Sequence, residues 1–227
     1  EKIGMVYEKK GEFDLALEHL SKGIGYLQSN EDSQEMARLY YDCGFVHSRK
    51  GEFDQAREFY DKALGILKDK TDQISLKEIG KLFNATGVVH WYQGKYDQAI
   101  EYYQKSIEIF QKLKDEQEVS YPYNNLGNIS FDRGDIDQAI EYYQKSLALR
   151  EKIGDINAMA GSYNNLGNAY YKKGNYSEGL RNYKRSASIY TRIGARSSVI
   201  IPLSNIANIS LEQADYSSAL EYNQKCM

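Results

Sequence analysis

Asp97-Gln98-Ala99-Ile100-Glu101-Tyr102-Tyr103-Gln104-Lys105-Ser106 recurs letter for letter as Asp137 through Ser146, and Tyr123-Asn124-Asn125-Leu126-Gly127-Asn128 recurs as Tyr163 through Asn168. Both copies are offset by 40 residues. A fixed internal period of this size marks an array in which each unit is one supersecondary element, too small to bury its apolar face alone and stacked on its neighbours to do so. Outward from these copies, glycines fall at Gly11, Gly51, Gly94, Gly134 and Gly174, with Ala214 in the sixth place, so the steps are 40, 43, 40, 40 and 40. The period therefore spans the chain, as a single array of units at approximately 1–30, 31–70, 71–114, 115–154, 155–194 and 195–227, the first and last of them partial.

Inside each unit a small residue stands seven before the turn glycine (Gly4, Gly44, Gly87, Gly127, Gly167, Ala207) and another five after it (Ala16, Ala56, Ala99, Ala139, Gly179, Ala219). Small side chains at these places let two antiparallel helices approach closely, and the glycine supplies the tight connection between them. Large residues flank the small ones at helical spacing: Tyr40, Phe83, Tyr123, Tyr163 and Leu203 on the first helix, Tyr60, Tyr103, Tyr143 and Tyr183 on the second. Each unit is thus expected to be a helical hairpin, with Gly154 and Gly194 closing the second helices. Pro122 and Pro202 occupy equivalent places; since proline is tolerated in a first turn and kinks a helix interior, the first helices of their units are expected to begin near 119 and 199.

Composition agrees with an all-α reading. Two prolines among 227 residues leave little room for turn-rich β architecture, and 13% aromatics argue for packing rather than disorder. A net charge of −3 creates no global field for nucleic acid or an anionic bilayer, and no apolar run approaches the length of a membrane span. Cys43 and Cys226 are too far apart in sequence to form a ligand pair of the C-x-x-C kind and read as thiols in a reducing compartment, the cytoplasm. Neither end reads as a signal peptide, and both stop inside a helical pattern without a polar capping helix. A longer native protein is therefore expected, and uncapped ends could also stack end to end on another copy.

The alternation of small, aromatic and turn-glycine positions resembles the tetratricopeptide repeat over the whole chain. Its 40-residue period, with Tyr-Asn-Asn-Leu-Gly-Asn at 123–128 and 163–168 and Ala-Ile-Glu-Tyr-Tyr at 99–103 and 139–143, is similar to the long-repeat branch that includes kinesin light chain and the Partner-of-Inscuteable adaptors. The resemblance implies a right-handed α-solenoid whose first helices line a concave groove. Read at helical spacing, that wall carries Tyr41 and Phe45; Lys81, Asn84 and Tyr92; Tyr121, Asn124, Asn125 and Asn128; Asn164, Asn165, Asn168 and Lys172; Asn205 and Asn208.

An asparagine amide offers a donor and an acceptor together, so a ladder of them can bond the N–H and C=O of an extended peptide whatever its side chains. The resemblance implies the same role, carried by Asn125, Asn165 and Asn205 with Asn128, Asn168 and Asn208 one turn on. The alternative is that the amides join neighbouring helices; with two ends, each can do both. A few hydrogen bonds at about 0.5–1.5 kcal/mol each do not reach micromolar affinity, near −8 kcal/mol, so Tyr41, Phe45, Tyr92 and Tyr121 are expected to act as apolar anchors. The cation clamp by which some similar arrays grip a chaperone's carboxylate tail has no counterpart, since its places hold Tyr41, Asn84, Asn124 and Asn164 at one rung and Asp42, Ala85, Asn125 and Asn165 at the next, leaving Lys81 alone.

No phosphate loop, nucleophile elbow or H-E-x-x-H sequence occurs, so neither enzymatic activity nor a cofactor is expected. His47 and His90 share a rung but lack further ligands at fixed spacing, which favours packing over metal. The expected function is a scaffold that binds an extended segment of a partner protein. Two rivals are a sensor segment of a larger signalling or transcription-control protein, and an RNA-associated repeat using the seven cations between Lys172 and Arg196.

Overall fold

The computed structural model describes residues 2–27 and 33–226. The expected junction between the first two repeats, at 30 and 31, lies outside the described residues. The chain divides into two compact units, Glu1–Asp115 and Glu116–Met227. The first carries, among the described residues, α1 (Lys2–Lys9), α2 (Phe13–Leu27), α3 (Gln34–Lys50), α4 (Phe53–Leu67), α5 (Gln73–Tyr92) and α6 (Tyr96–Leu113). The second carries α7 (Glu116–Arg133), α8 (Ile136–Ile153), α9 (Ile156–Lys172), α10 (Tyr176–Arg192), α11 (Arg196–Glu212) and α12 (Tyr216–Lys225). No strand occurs among the described residues. Within each unit the helices pair into three hairpins, and the second helix of each hairpin packs on the first of the next.

The hairpin turns and several junctions between hairpins follow one hydrogen-bond scheme. At the end of α3, Gly51 takes φ +80°, its N–H bonds the carbonyl of Ser48 at 3.1 Å, and the next N–H, of Glu52, bonds the carbonyl of His47 at 2.9 Å. This double closure satisfies the last carbonyls of the helix and requires a left-handed residue at its centre. The same pair of bonds closes α7 around Gly134, α8 around Gly154 and α10 around Gly194. Among the described residues two of these closures lack glycine: Lys114 and Ala214 hold φ of 55° and 57°. First helices begin on side-chain caps where the sequence offers them, Ser33 accepting from the N–H of Met36 at 3.1 Å and Asp72 from that of Ser75 at 2.9 Å.

The small residue seven before the turn has a specific contact. A Cβ on Gly127 would stand 2.5 Å from the ring of Tyr143, and one on Gly167 2.5 Å from that of Tyr183; Gly44 and Gly87 meet Tyr60 and Tyr103 in the same way. The glycine and the tyrosine therefore form one packing unit, in which a flat ring lies directly on the backbone of the partner helix. These tyrosines are the large buried members of the core, joined by Leu67, Leu82, Leu126, Leu166 and Ile206.

The proline expectation is corrected. α7 begins at Glu116 and α11 at Arg196, three residues earlier than the first-turn rule gives, and both helices run through Pro122 and Pro202. Both rings are buried. Apolar burial offsets the cost of proline's missing N–H, and the hydroxyl of Ser120 donates to the carbonyl of Gln117 at 2.7 Å in the turn beside Pro122.

Candidate functional site

The first helices place the amides at equal height in successive hairpins. In the second unit Nδ2 of Asn165 on α9 donates to Oδ1 of Asn124 on α7 at 3.1 Å, and Nδ2 of Asn205 on α11 donates to Oδ1 of Asn164 at 3.3 Å and of Asn168 at 3.4 Å. One turn on, the hydroxyls of Tyr143 and Tyr183 donate to Oδ1 of Asn128 and Asn168 at 2.9 and 2.7 Å. The amides thus join neighbouring helices, but each of these bonds engages one end only. Nδ2 of Asn124 and Asn164 and Oδ1 of Asn165 and Asn205 have no partner among the described residues. Truncating Asn165 or Asn205 therefore costs stability as well as any ligand contact, about 0.5–1.5 kcal/mol each.

Two cavities of the second unit hold most of these groups. One, of about 490 Å³, is lined by Tyr121, Asn124, Arg150, Asn164, Asn165 and Tyr190 among others. Another, of about 210 Å³, takes Asn168, Lys172, Asn205 and Asn208 against Tyr171, Tyr183 and Phe131. Asn208 is exposed, and at the place where its counterparts find a tyrosine the chain has Asn223. In the first unit Tyr41, Phe45, Asn84 and Tyr92 converge with Arg49, Val88 and Tyr60 on a cavity of about 560 Å³. Tyr92 is 60% exposed and stacks on Phe53 at 5.5 Å, which holds its ring as a ready platform. Lys81, Asn125 and Asn128 line none of the three; Lys81 lies 3.6 Å from Glu78.

Arg150 is the residue that sequence reasoning missed. It sits on α8, is 5% exposed, and donates through Nη1 to Ser162 Oγ at 2.6 Å, to the Ala158 carbonyl at 3.1 Å and to Asn124 Oδ1 at 3.4 Å. Burial lowers its pKa from the ordinary arginine value, with Tyr121 and Asp155 opposing, and a guanidinium remains charged at neutral pH. The signal was available as a break in register: the corresponding residues are Leu27, Leu67, Phe110 and Tyr190.

The histidines pack as expected. His47 stacks on Phe59 at 5.2 Å and bonds Glu52, and His90 stacks on Tyr102 at 5.2 Å. Among the described residues no cluster of three histidine, cysteine or carboxylate side chains could hold a metal, and no helix is long and apolar enough to cross a membrane. Cys43 is buried, which pushes its thiol up to about 12, and it is not joined to Cys226. Part of the basic run is locally compensated: Lys173 pairs with Asp137 at 2.6 Å, Arg181 with Glu178 at 3.2 Å, and Arg185 lies over the ring of Tyr163.

A family model described as tetratricopeptide repeat matches residues 1–69, 78–152 and 158–227. Comparison with the curated proteins gives no match. Among solved structures, a signal transduction ATPase with numerous domains from Pyrococcus horikoshii, which carries a tetratricopeptide repeat sensor, superposes with a TM-score of 0.80 at 16% identity over 99% of this chain and 34% of that one. The Rap conjugation gene regulator of plasmid pLS20, in complex with the Phr* peptide, gives 0.78 at 17% identity over 96% of this chain and 59% of that one. BtubC (BKLC) from P. vanneervenii gives 0.70 at 24% identity over 84% and 78%. At these identities the likeness is one of fold.

Proposed function

The chain belongs to the tetratricopeptide repeat family, and on that premise we propose that it is a non-enzymatic interaction array that binds an extended segment of a partner polypeptide along its first helices. The observation that carries this is the one-ended use of the amides. Asn124 and Asn164 keep an N–H donor while Asn165 and Asn205 keep an oxygen acceptor, which is the complement of a peptide backbone. Tyr41, Phe45, Tyr92 and Tyr121 supply the apolar contact that hydrogen bonds alone do not. The 40-residue period supports a place in the long-repeat branch, and the unpaired cysteines support a cytoplasmic setting.

A sensor role within a larger protein is the second reading. It is favoured by the likeness to an ATPase whose repeat is a sensor and to a Rap regulator in complex with a peptide, both of them longer than this chain. In either reading the same groups meet the ligand. Selection of a randomised displayed peptide library on the 227-residue chain tests them. Selected peptides should lose most of their affinity for Asn165→Ala/Asn205→Ala and part of it for Asn208→Ala, whose amide has no partner within the described residues. Recovery of no peptide, or equal binding by these variants, would refute the proposal.

A further inference from the structure

Arg150 stands where its repeat register otherwise places Leu27, Leu67, Phe110 and Tyr190. In the preceding hairpin that place is a core contact, the ring of Phe110 lying within 2.7 Å of where a Cβ on Gly80 would be. A cation in such a position breaks a local rule that the rest of the array obeys, and such breaks concentrate at functional positions. Burying a charge is costly unless an opposite charge accompanies it. No carboxylate lies within ion-pair distance of Arg150 among the described residues, and its protein partners are all neutral. Nε is buried without a partner, and Nη2 makes no hydrogen bond among the described residues. Asp155, on the same cavity wall, accepts instead from the N–H of Ala158 at 3.0 Å.

The surrounding groups suit an anion. Because Arg150 can only donate, the atom of Asn124 facing it is oxygen, which leaves Nδ2 as the amide's spare end. Asn164 is set the same way, its oxygen taken by Asn205. The hydroxyl of Tyr190 stands on the same wall, and Oδ1 of Asn165 is available to a peptide N–H. A cavity of about 490 Å³ is large enough for a terminal residue or an acidic side chain with its flanking backbone.

We propose that this cavity binds a carboxylate of an extended peptide, with Nη2 of Arg150 as the charge-assisted donor and Nδ2 of Asn124 and Asn164 beside it. The inference rests on the peptide-binding reading above and names the chemistry its ligand must bring. The carboxylate comes either from the peptide's C-terminus or from an aspartate or glutamate side chain. In both cases the anion pairs directly with a cation that makes no ion pair among the described residues.

Three probes separate the possibilities: acetyl-trialanine with a free terminus, and acetylated, amidated tripeptides with either glutamate or glutamine between two alanines. Titrated into the isotope-labelled full chain, one or both carboxylate peptides should shift the Arg150 Nε–H and the Asn124 and Asn164 amide resonances saturably. The glutamine peptide should bind at least about tenfold more weakly than the glutamate one if the side chain is the source. A response confined to acetyl-trialanine assigns the C-terminus. Arg150→Leu, which restores the residue of the second hairpin's rung, should melt no lower than the parent while losing about tenfold or more in carboxylate binding; Arg150→Met serves should the leucine variant misfold. Equal binding of the glutamine and both carboxylate peptides, or unchanged carboxylate binding by either variant, overturns the inference while leaving backbone recognition intact. No shift with any peptide overturns both.

Discussion

Three tyrosines in equivalent positions should respond in opposite directions to the same substitution. Tyr103, Tyr143 and Tyr183 all lay their rings on a glycine of the partner helix. The hydroxyls of Tyr143 and Tyr183 reach Asn128 and Asn168, but fifteen residues before Tyr103 the chain has Val88, and the Tyr103 hydroxyl is buried with no partner among the described residues. Phenylalanine at 143 or 183 removes a bond with a net contribution of about 0.5–1.5 kcal/mol, and the half-buried asparagine left behind can return to water. Phenylalanine at 103 removes a desolvated group whose burial costs roughly 1–3 kcal/mol. The matched changes should therefore differ by about 2 kcal/mol or more in stability. For a chain of this length each kcal/mol moves the melting temperature by roughly 2–4 °C, so Tyr143→Phe should melt a few degrees lower and Tyr103→Phe higher than the parent. Repeat arrays can unfold in parts, so a local probe is needed beside calorimetry. Trp91, the chain's one tryptophan, reports on the third hairpin, and amide exchange reports on the fourth and fifth. In a double-mutant cycle Val88→Asn should couple favourably with Tyr103, and the coupling should vanish in the Tyr103→Phe background. A loss at Tyr103→Phe as large as at the other two would refute this reasoning.

Lys114→Gly and Ala214→Gly should each stabilise by about 1 kcal/mol, because both residues hold positive φ in closures where the other turns use glycine; chemical denaturation gives the value, and a loss on either substitution would count against the assigned turn. Burial, with Lys95 and Arg57 adding to it, lowers the pKa of His90 from its ordinary 6.5. Its folded form favours the neutral ring, so the associated stability is complete above pH 6.5 and declines as pH falls through the lower folded value. His90→Gln should flatten the fall in melting temperature just below that pH, and an unchanged slope would exclude the histidine as its source.

Much of the candidate site is legible in the repeat register. Asn124, Asn164 and Asn165 share one cavity wall, and Tyr41, Phe45 and Tyr92 another, because residues at equal height in stacked hairpins must face the same way. Which end of each amide remains available is not legible. That depends on a neighbour roughly 40 positions away, and on whether position 88, 128 or 168 offers a tyrosine hydroxyl an acceptor. Arg150 shows the converse: its departure from the rung is visible in the letters, yet its meaning needs the burial and the neutral partners that surround it.

By itself the amino-acid order determined the period, the hairpins and the paired small and aromatic positions, because turn closure and helix pairing depend on residues close together in the chain. Only the tertiary structure decided that α7 and α11 run through their prolines, since the free energy that tolerates the missing N–H comes from burial against other helices. It likewise decided that the amides serve the stack with one end and leave the other open, and that a guanidinium lies inside the fourth hairpin without a counter-ion among the described residues. Those outcomes are sums over contacts between distant hairpins, and no local rule of spacing or propensity contains them.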